Sequence, residues 1–205
     1  MIALEYNTYF TTTLYLGSYV FMMTVSLLAL LPVFFLDLPN IIVEKNQAGE
    51  RSLLEIFKNP LAGLAVLNSA VGWFLMVLIM AAAPLAMNSM GFSFFKTSLV
   101  IQWHVLAMYL PSFFTGTLIE KFGVSKVILL GYLAFAFAIF FGFLGLQFNN
   151  FAFSLMALGV GWNFLFVGGT SLLTRVYSLE EKAKVQGVNE FIVFGIAATS
   201  GLMAG

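Results

Sequence analysis

The sequence of 205 residues contains no cysteine, and charged residues make up only 9% of it. The missing cysteine excludes a disulfide scaffold, a thiolate metal site and a cysteine nucleophile. A soluble domain usually carries about 25% charged residues and about 45–50% apolar residues, whereas hydrophobic residues make up 61% of this chain. The formal net charge is zero, so the chain also lacks the basic surface of a nucleic-acid-binding protein. These absences indicate that most of the chain lies in lipid.

Six apolar runs are long enough to cross a bilayer, whose core of about 30 Å requires roughly 20 residues of helix. None of them alternates between apolar and polar residues as the strands of a membrane barrel do. The sequence therefore predicts an all-α membrane protein with six transmembrane helices. The predicted spans are residues 14–36, 61–82, 96–118, 127–146, 151–173 and 187–205.

Lysine and arginine are distributed unevenly between the two sides of these spans. The loops after the first, third and fifth spans hold three, two and three of the nine basic residues, and Lys96 is the ninth. Short basic loops stay in the cytoplasm, so we expect the N-terminus outside the cytoplasm and the chain in a bacterial inner membrane. The first 13 residues include Glu5 but no basic residue, and for that reason they do not resemble a cleavable signal.

The longest polar stretch separates the first span from the other five. It predicts three regions: an extracytoplasmic N-terminus with the first span in residues 1–36, a cytoplasmic linker in residues 37–59, and a helical bundle in residues 60–205. The end of the linker carries Leu53, Leu54, Ile56 and Phe57, which predicts a short amphipathic helix at the membrane face. An ordinary loop is the alternative.

The loop between the third and fourth spans, residues 116–123, reads Gly-Thr-Leu-Ile-Glu-Lys-Phe-Gly. It resembles the Gly-x-x-x-Asp-Arg/Lys-x-Gly cytoplasmic loop of the major facilitator superfamily. In this pattern Gly116 permits a close helix approach and Gly123 a tight turn, while Glu120 and Lys121 dock onto neighbouring helix ends. The resemblance implies a gating role for this motif, in which Glu120 and Lys121 help to latch the cytoplasmic face. The chain departs from the pattern in two ways: glutamate replaces the usual aspartate, and the basic pair usual after the second glycine is absent.

The resemblance implies the last helix of the first bundle, the central loop and most of the second bundle of a major-facilitator fold. It implies a secondary transporter that moves a small organic solute across the lipid bilayer by alternating access. The missing first bundle would be its partner, and no cofactor is implied. Residues 161–170 also resemble bacterial permeases that include riboflavin transporters and efflux pumps, which suggests a planar aromatic solute such as riboflavin or a drug-like efflux substrate.

Polar groups inside the spans are candidate functional residues because lipid offers them no hydrogen-bonding partner. Hydrogen bonding between helices is the alternative for each of them. Glu190 and the only histidine, His104, are candidates for proton coupling, although a carboxylate near a helix N-terminus also stabilises that end. The candidate solute contacts are Asn163, Trp162, Gln102, His104, Tyr109 and Asn68.

Two further classes of protein are disfavoured. The spans show neither a His/Asp/Glu cluster for a metal nor a serine and histidine at one depth, which argues against an integral-membrane enzyme. A channel is disfavoured because no ring of charged residues is apparent. The alternative to a transporter is an inactive membrane fragment, or one with a purely structural or interaction role, that needs a partner half.

Overall fold

The computed structural model describes residues 16–36 and 51–203, and within these ranges all regular structure is helical. The predicted all-α class is therefore confirmed. The predictions for residues 1–15, for residues 37–50 of the linker and for residues 204–205 lie outside the described residues. The helices are α1 (Leu16–Phe34), α2 (Leu53–Phe57), α3 (Pro60–Ser89), α4 (Phe94–Tyr109), α5 (Ser112–Phe122), α6 (Val124–Phe143), α7 (Phe148–Leu173) and α8 (Lys182–Met203).

The chain forms two compact units, Met1–Glu44 and Lys45–Gly205. The first unit contains α1, and the second contains α2 to α8. The amphipathic helix predicted at the end of the linker corresponds to α2, which begins where the Ser52 hydroxyl accepts a hydrogen bond from the Glu55 N–H at 3.2 Å. On α2 the side chain of Ile56 is buried whereas that of Leu54 is exposed, as an amphipathic helix requires.

Four helices, α1, α3, α6 and α7, are long and apolar enough to cross a membrane. The predicted count of six spans is therefore not confirmed. The predicted third span is divided between α4 and α5, because the chain turns at Pro111, whose ring carries no N–H for the helical hydrogen bond. The predicted sixth span corresponds to α8, which begins earlier, at Lys182, and includes polar and charged residues in its first turns.

Helix α7 lies at the centre of the second unit, where it packs against α3, α4 and α6. Two of its glycines allow close contacts. A Cβ atom at Gly159 would lie 2.7 Å from the carbonyl oxygen of His104 on α4, and one at Gly169 would lie 2.8 Å from the carbonyl oxygen of Ala65 on α3. Because neither residue has a side chain, the backbones of adjacent helices approach as they do at small-residue contacts in membranes.

Candidate functional site

Asn163, in the middle of α7, is fully buried and bridges the break between α4 and α5. Its side-chain amide donates hydrogen bonds to the carbonyl oxygen of Met108 at 2.8 Å and to the hydroxyl of Ser112 at 2.6 Å. Its side-chain oxygen lies 2.6 Å from the hydroxyl of Thr115, which donates to it. The residue thus pairs polar groups on both sides of the break, which agrees with the structural alternative. The solute contact stays a prediction.

His104 is fully buried on the side of α4 that faces α7. Its Nδ1 atom lies 2.7 Å from the carbonyl oxygen of Leu155. A carbonyl oxygen can only accept, so Nδ1 carries the proton in this hydrogen bond. The other ring nitrogen, Nε2, is buried without a hydrogen-bonding partner among the described residues, which leaves a free acceptor inside the bundle. Proton coupling through His104 stays a prediction.

Five aromatic rings from four helices form a continuous group, which we call the aromatic cluster. Trp162 stands at its centre, with Phe166 stacked at 5.2 Å between ring centroids and Trp73 edge-on at 5.3 Å. Tyr109 lies 6.0 Å from Trp162, and Phe194 lies 5.1 Å from Trp73. These separations are typical of favourable aromatic pairs. The structure therefore adds Trp73, Phe166 and Phe194 to the predicted residues Trp162 and Tyr109.

The aromatic cluster is buried at its centre and open at its edge. Trp162 is 4% exposed, whereas Tyr109 is 59% exposed and Phe194 is 48% exposed. The indole N–H groups of Trp73 and Trp162 are buried without an acceptor among the described residues. Sequence analysis missed Phe166 and Phe194 because phenylalanine is abundant in the chain, with 24 residues, and no spacing distinguishes these two.

The remaining two candidate solute contacts lie apart from this cluster. Asn68 on α3 accepts a hydrogen bond from the Tyr132 hydroxyl at 2.8 Å and donates to the Leu64 carbonyl oxygen at 2.6 Å. It therefore joins α3 to α6. The side chain of Gln102 is exposed on α4. Both assignments as solute contacts stay predictions.

Gly123 forms the tight turn predicted for the loop motif. Its φ angle of +88° separates α5 from α6, a conformation that glycine adopts without steric cost. The side chains of Glu120 and Lys121 are exposed. A Cβ atom at Gly116 would meet nothing within 4 Å, so in the part of the chain that the structure describes this glycine makes no close helix contact. The motif is thus an exposed surface, and its gating role stays a prediction.

Glu190 lies further inside its helix than the sequence predicts. Helix α8 begins at Lys182, so the carboxylate lies beyond the first turn. The helix N-terminus stabilises negative charge most within that first turn. Its Oε1 atom accepts a hydrogen bond from the side-chain amide of Asn189 at 3.1 Å. The carboxylate of Glu190 is therefore not a first-turn residue of α8. Proton coupling through Glu190 stays a prediction.

A half-buried ion pair that sequence analysis missed joins the segment before α2 to the loop before α8; the side chain of Arg51 is 45% exposed and that of Glu181 is 4% exposed. The guanidinium of Arg51 donates to both carboxylate oxygens of Glu181, at 2.9 Å from Nε and 2.6 Å from Nη2, and Nη2 also donates to the Val176 carbonyl oxygen at 3.0 Å. The backbone N–H groups of Arg51 and Ser178 donate to the same carboxylate at 3.1 Å and 3.0 Å. The ammonium of Lys184 donates to the Arg51 carbonyl oxygen at 2.6 Å. We call this group the Arg51–Glu181 clamp.

The clamp keeps Glu181 ionised. The Arg51 guanidinium, followed by the backbone N–H of Ser178, lowers the pKa of Glu181 from 4.5 to about 2. The side chain of Glu181 is only 4% exposed, so the carboxylate depends on these donors for its stability. The available signal in the sequence is the acidic pair Glu180 and Glu181 in an otherwise basic loop, but it does not identify a partner 130 residues away.

We expect Glu181→Gln to lower the unfolding temperature of the chain in detergent at neutral pH. A carboxylate whose pKa is lowered by folding contributes its full stabilisation above the pKa of the unfolded state, here 4.5, and loses it as the pH falls through the folded pKa of about 2. The difference in unfolding temperature between wild type and variant, followed by circular dichroism, should therefore shrink as the pH falls from 4.5 to about 2. Glu180→Gln is the matched control, since Ser178 rather than Arg51 lowers the pKa of Glu180. If both variants lose the same stability at neutral pH, the clamp has no special role.

Comparison with known proteins gives three relatives among curated sequences. The chain is 39% identical over 194 residues to the riboflavin transporter RfnT of Brucella anthropi, a match that covers 94% of this chain and 49% of the relative. It is 32% identical over 137 residues to the uncharacterized MFS-type transporter YdeG of Bacillus subtilis, covering 63% of this chain and 31% of the relative. The match to YddS, another MFS-type transporter of that organism, is 32% over 133 residues, covering 64% and 30%. No family model and no solved structure matches the chain.

Proposed function

This chain is homologous to bacterial membrane transporters of the major facilitator type, and from that premise we propose that it forms part of a secondary transporter for a small organic solute. These relatives confirm the resemblance to such transporters that residues 116–123 and 161–170 indicate. The observation that carries the proposal is the match to the riboflavin transporter over 94% of the chain. The chain spans about half the length of that relative, so the working transporter in our proposal contains further helices that alternate against this bundle.

In the proposed arrangement α4 and α5 together form one bent span. Helices α1, α3, α6, α7 and α8 form the other five, so that six spans result. Irregular backbone is tolerated at membrane depth only where it is buried in protein or lines a cavity. The break at Pro111 meets this condition because Asn163 hydrogen-bonds the Met108 carbonyl oxygen and the Ser112 hydroxyl. With the basic loops in the cytoplasm, the Arg51–Glu181 clamp and the motif at residues 116–123 lie at the same, cytoplasmic end.

The aromatic cluster is the proposed wall of the solute site. It brings together rings from α3, α4, α7 and α8, and its edge residues Tyr109 and Phe194 are about half exposed. A planar aromatic solute gains most from such a surface because rings stack and meet edge-on. Similarity to the riboflavin transporter RfnT of Brucella anthropi supports a solute with a flat ring system of the riboflavin kind.

We expect Tyr109→Ala and Phe194→Ala, which change the two exposed members of the aromatic cluster, each to weaken riboflavin binding. An aromatic pair contributes about 0.5–1.5 kcal/mol, so the dissociation constant should rise by about two- to tenfold for each variant. The measurement is equilibrium dialysis of radiolabelled riboflavin against the chain in lipid nanodiscs. Uptake by cells that produce this chain together with the remaining part of the Brucella anthropi transporter tests the transport step itself.

The matched control is Trp103→Ala, because Trp103 lies on α4 outside the aromatic cluster and is 48% exposed. We expect riboflavin to bind this variant as it binds the wild type. The assignment of the aromatic cluster as the wall of the solute site would be overturned if all three variants weaken riboflavin binding equally, or if none of them changes it. Absence of riboflavin uptake by the combined parts would overturn the proposed solute.

A further inference from the structure

Five buried side-chain nitrogen and oxygen atoms have no hydrogen-bonding partner among the described residues, and four of them lie on α3 or α7. These four belong to the hydroxyls of Ser69 and Thr170 and to the indole N–H groups of Trp73 and Trp162. The buried hydroxyls of Thr115, Ser154 and Ser200, by contrast, each donate to an oxygen atom of the chain. A buried polar group without a partner costs free energy, so the side of the bundle formed by α3 and α7 favours a bound group that supplies the missing partners.

Two of these four groups are enclosed by neighbouring helices. Ser69 is fully buried, and a Cβ atom at Gly169 would touch its hydroxyl, so this serine acts as a small residue in a close helix contact. Trp162 is 4% exposed at the centre of the aromatic cluster. Trp73 and Thr170, in contrast, are partly exposed residues. A solute can therefore reach Trp73 and Thr170 but not the other two.

Thr170 and Trp73 both adjoin the aromatic ring of Phe166. Thr170 follows Phe166 by four positions on α7, and residues four apart share a helix face. The ring of Trp73 meets that of Phe166 edge-on at 5.9 Å between centroids. Gly169 contacts Ser69, which precedes Trp73 by four positions on α3. Thr170 therefore lies about one helical turn from Trp73, on the side of the aromatic cluster that leads to the Arg51–Glu181 clamp.

A flavin such as riboflavin consists of two chemically different parts, a flat ring system and a flexible chain that carries several hydroxyl groups. The flat ring gains most from an aromatic surface. The oxygen of each hydroxyl group accepts a hydrogen bond from an indole N–H, and the hydroxyl both donates to and accepts from a threonine hydroxyl. A threonine in a helix adopts two rotamers, so rotation about χ1 turns the Thr170 hydroxyl from its buried position toward the exposed side.

We propose that Thr170 and the indole N–H of Trp73 bind the hydroxylated chain of the solute, while the flat ring lies against the aromatic cluster. The inference rests on the proposed function and deepens it, because it assigns the polar part of the solute to named residues. The hydroxylated chain then points along α7 toward the clamp, which is the cytoplasmic end in the proposed arrangement. Thr170 thereby selects a flavin with such a chain over the same ring without it.

Riboflavin and lumiflavin separate the two parts of the solute, because lumiflavin carries the same ring with a methyl group in place of the hydroxylated chain. The dissociation constants of both are measured by equilibrium dialysis against the chain in lipid nanodiscs. We expect Thr170→Val to raise the dissociation constant of riboflavin by about two- to tenfold, the usual effect of losing one hydrogen bond. The dissociation constant of lumiflavin should stay unchanged, since valine keeps the size and the branching of threonine.

Two control variants remove a hydroxyl that the solute does not meet. Thr174→Val repeats the substitution one turn further along α7, where the Thr174 hydroxyl donates to the Ser171 carbonyl oxygen at 2.8 Å. Ser69→Ala removes the enclosed hydroxyl on α3. We expect both variants to bind riboflavin and lumiflavin as the wild type does. Without riboflavin, Thr170→Val should unfold at the wild-type temperature or above it, because it removes a buried polar group that has no partner.

The proposal and the proposed solute fail in different ways. Riboflavin binding that Thr170→Val leaves unchanged would overturn the role of Thr170 and leave the proposed solute intact. Equal weakening of riboflavin and lumiflavin binding would also overturn it, since the effect would then concern the ring. A lower unfolding temperature of Thr170→Val without riboflavin would show that the hydroxyl holds the helices together, which contradicts the proposal. If the wild type binds neither flavin, the proposed solute itself is wrong, and this assignment with it.

Discussion

Replacing Gly159 by alanine is expected to separate α7 from α4 and to destabilise the chain by about 1–3 kcal/mol, the usual cost of overpacking. The added Cβ atom would lie 2.7 Å from the His104 carbonyl oxygen, 3.0 Å from the Met108 nitrogen and 3.1 Å from the Ala107 carbonyl carbon. All three atoms belong to the backbone of α4, which cannot move aside as a flexible side chain can. Unfolding in mixed micelles with increasing SDS, followed by tryptophan fluorescence, measures the loss.

Gly195→Ala is the matched control for this variant. A Cβ atom at Gly195 would meet nothing within 4 Å, and alanine favours a helix over glycine by about 1 kcal/mol. We therefore expect Gly195→Ala to be neutral or slightly stabilising in the same assay. Equal stability of the two variants would contradict the close contact between α7 and α4.

Asn163→Leu is expected to destabilise the chain by about 2 kcal/mol, because hydrogen bonds between membrane helices contribute about 0.6 kcal/mol on average and up to about 1.7 kcal/mol each. Leucine resembles asparagine in size but forms none of the three hydrogen bonds to Met108, Ser112 and Thr115. The carbonyl oxygen of Met108 would then be left without this donor beside the break at Pro111. The SDS unfolding assay measures the stability, and the proteolysis rate between α4 and α5 reports opening of the break.

Asn149→Leu is the control, since Asn149 is exposed in the first turn of α7 and receives the same substitution on the same helix. We expect its stability to match the wild type. A double variant that combines Asn163→Leu with Thr115→Val should lose less than the sum of the two single changes, because both remove the same hydrogen bond. Strict additivity would show that the two side chains do not interact.

Several features of the fold could be predicted from the sequence because they depend on neighbouring residues. Runs of apolar residues in spans 61–82, 127–146 and 151–173 predict the helices α3, α6 and α7, since a buried backbone in lipid must satisfy its own hydrogen bonds. The third span was predicted wrongly as one continuous helix. Its composition is mostly apolar on both sides of Pro111, and the effect of this proline depends on whether another helix satisfies the groups that the break releases.

The candidate site was predicted less completely. Trp162 and Tyr109 were identified from their residue types, and the structure brings them together, but Asn68 and Gln102 lie elsewhere. Polar residues within an apolar span stand out in a sequence, whereas their partners do not. Hydrogen bonds between Asn163 and the α4–α5 break join residues about 50 positions apart, and such pairs become visible only when the helices pack.

The sequence by itself determined that the chain is helical, apolar and related to transporters of the major facilitator type, because composition, helix length and local motifs are properties of contiguous residues. Only the tertiary structure decided that Arg51 binds Glu181, that Asn163 bridges a broken helix, and that the rings of the aromatic cluster come together from four helices. The physical reason is that each of these features joins segments distant in sequence. Their geometry follows from how closely helix backbones approach at residues such as Gly159 and Gly169, and that distance is a property of packing.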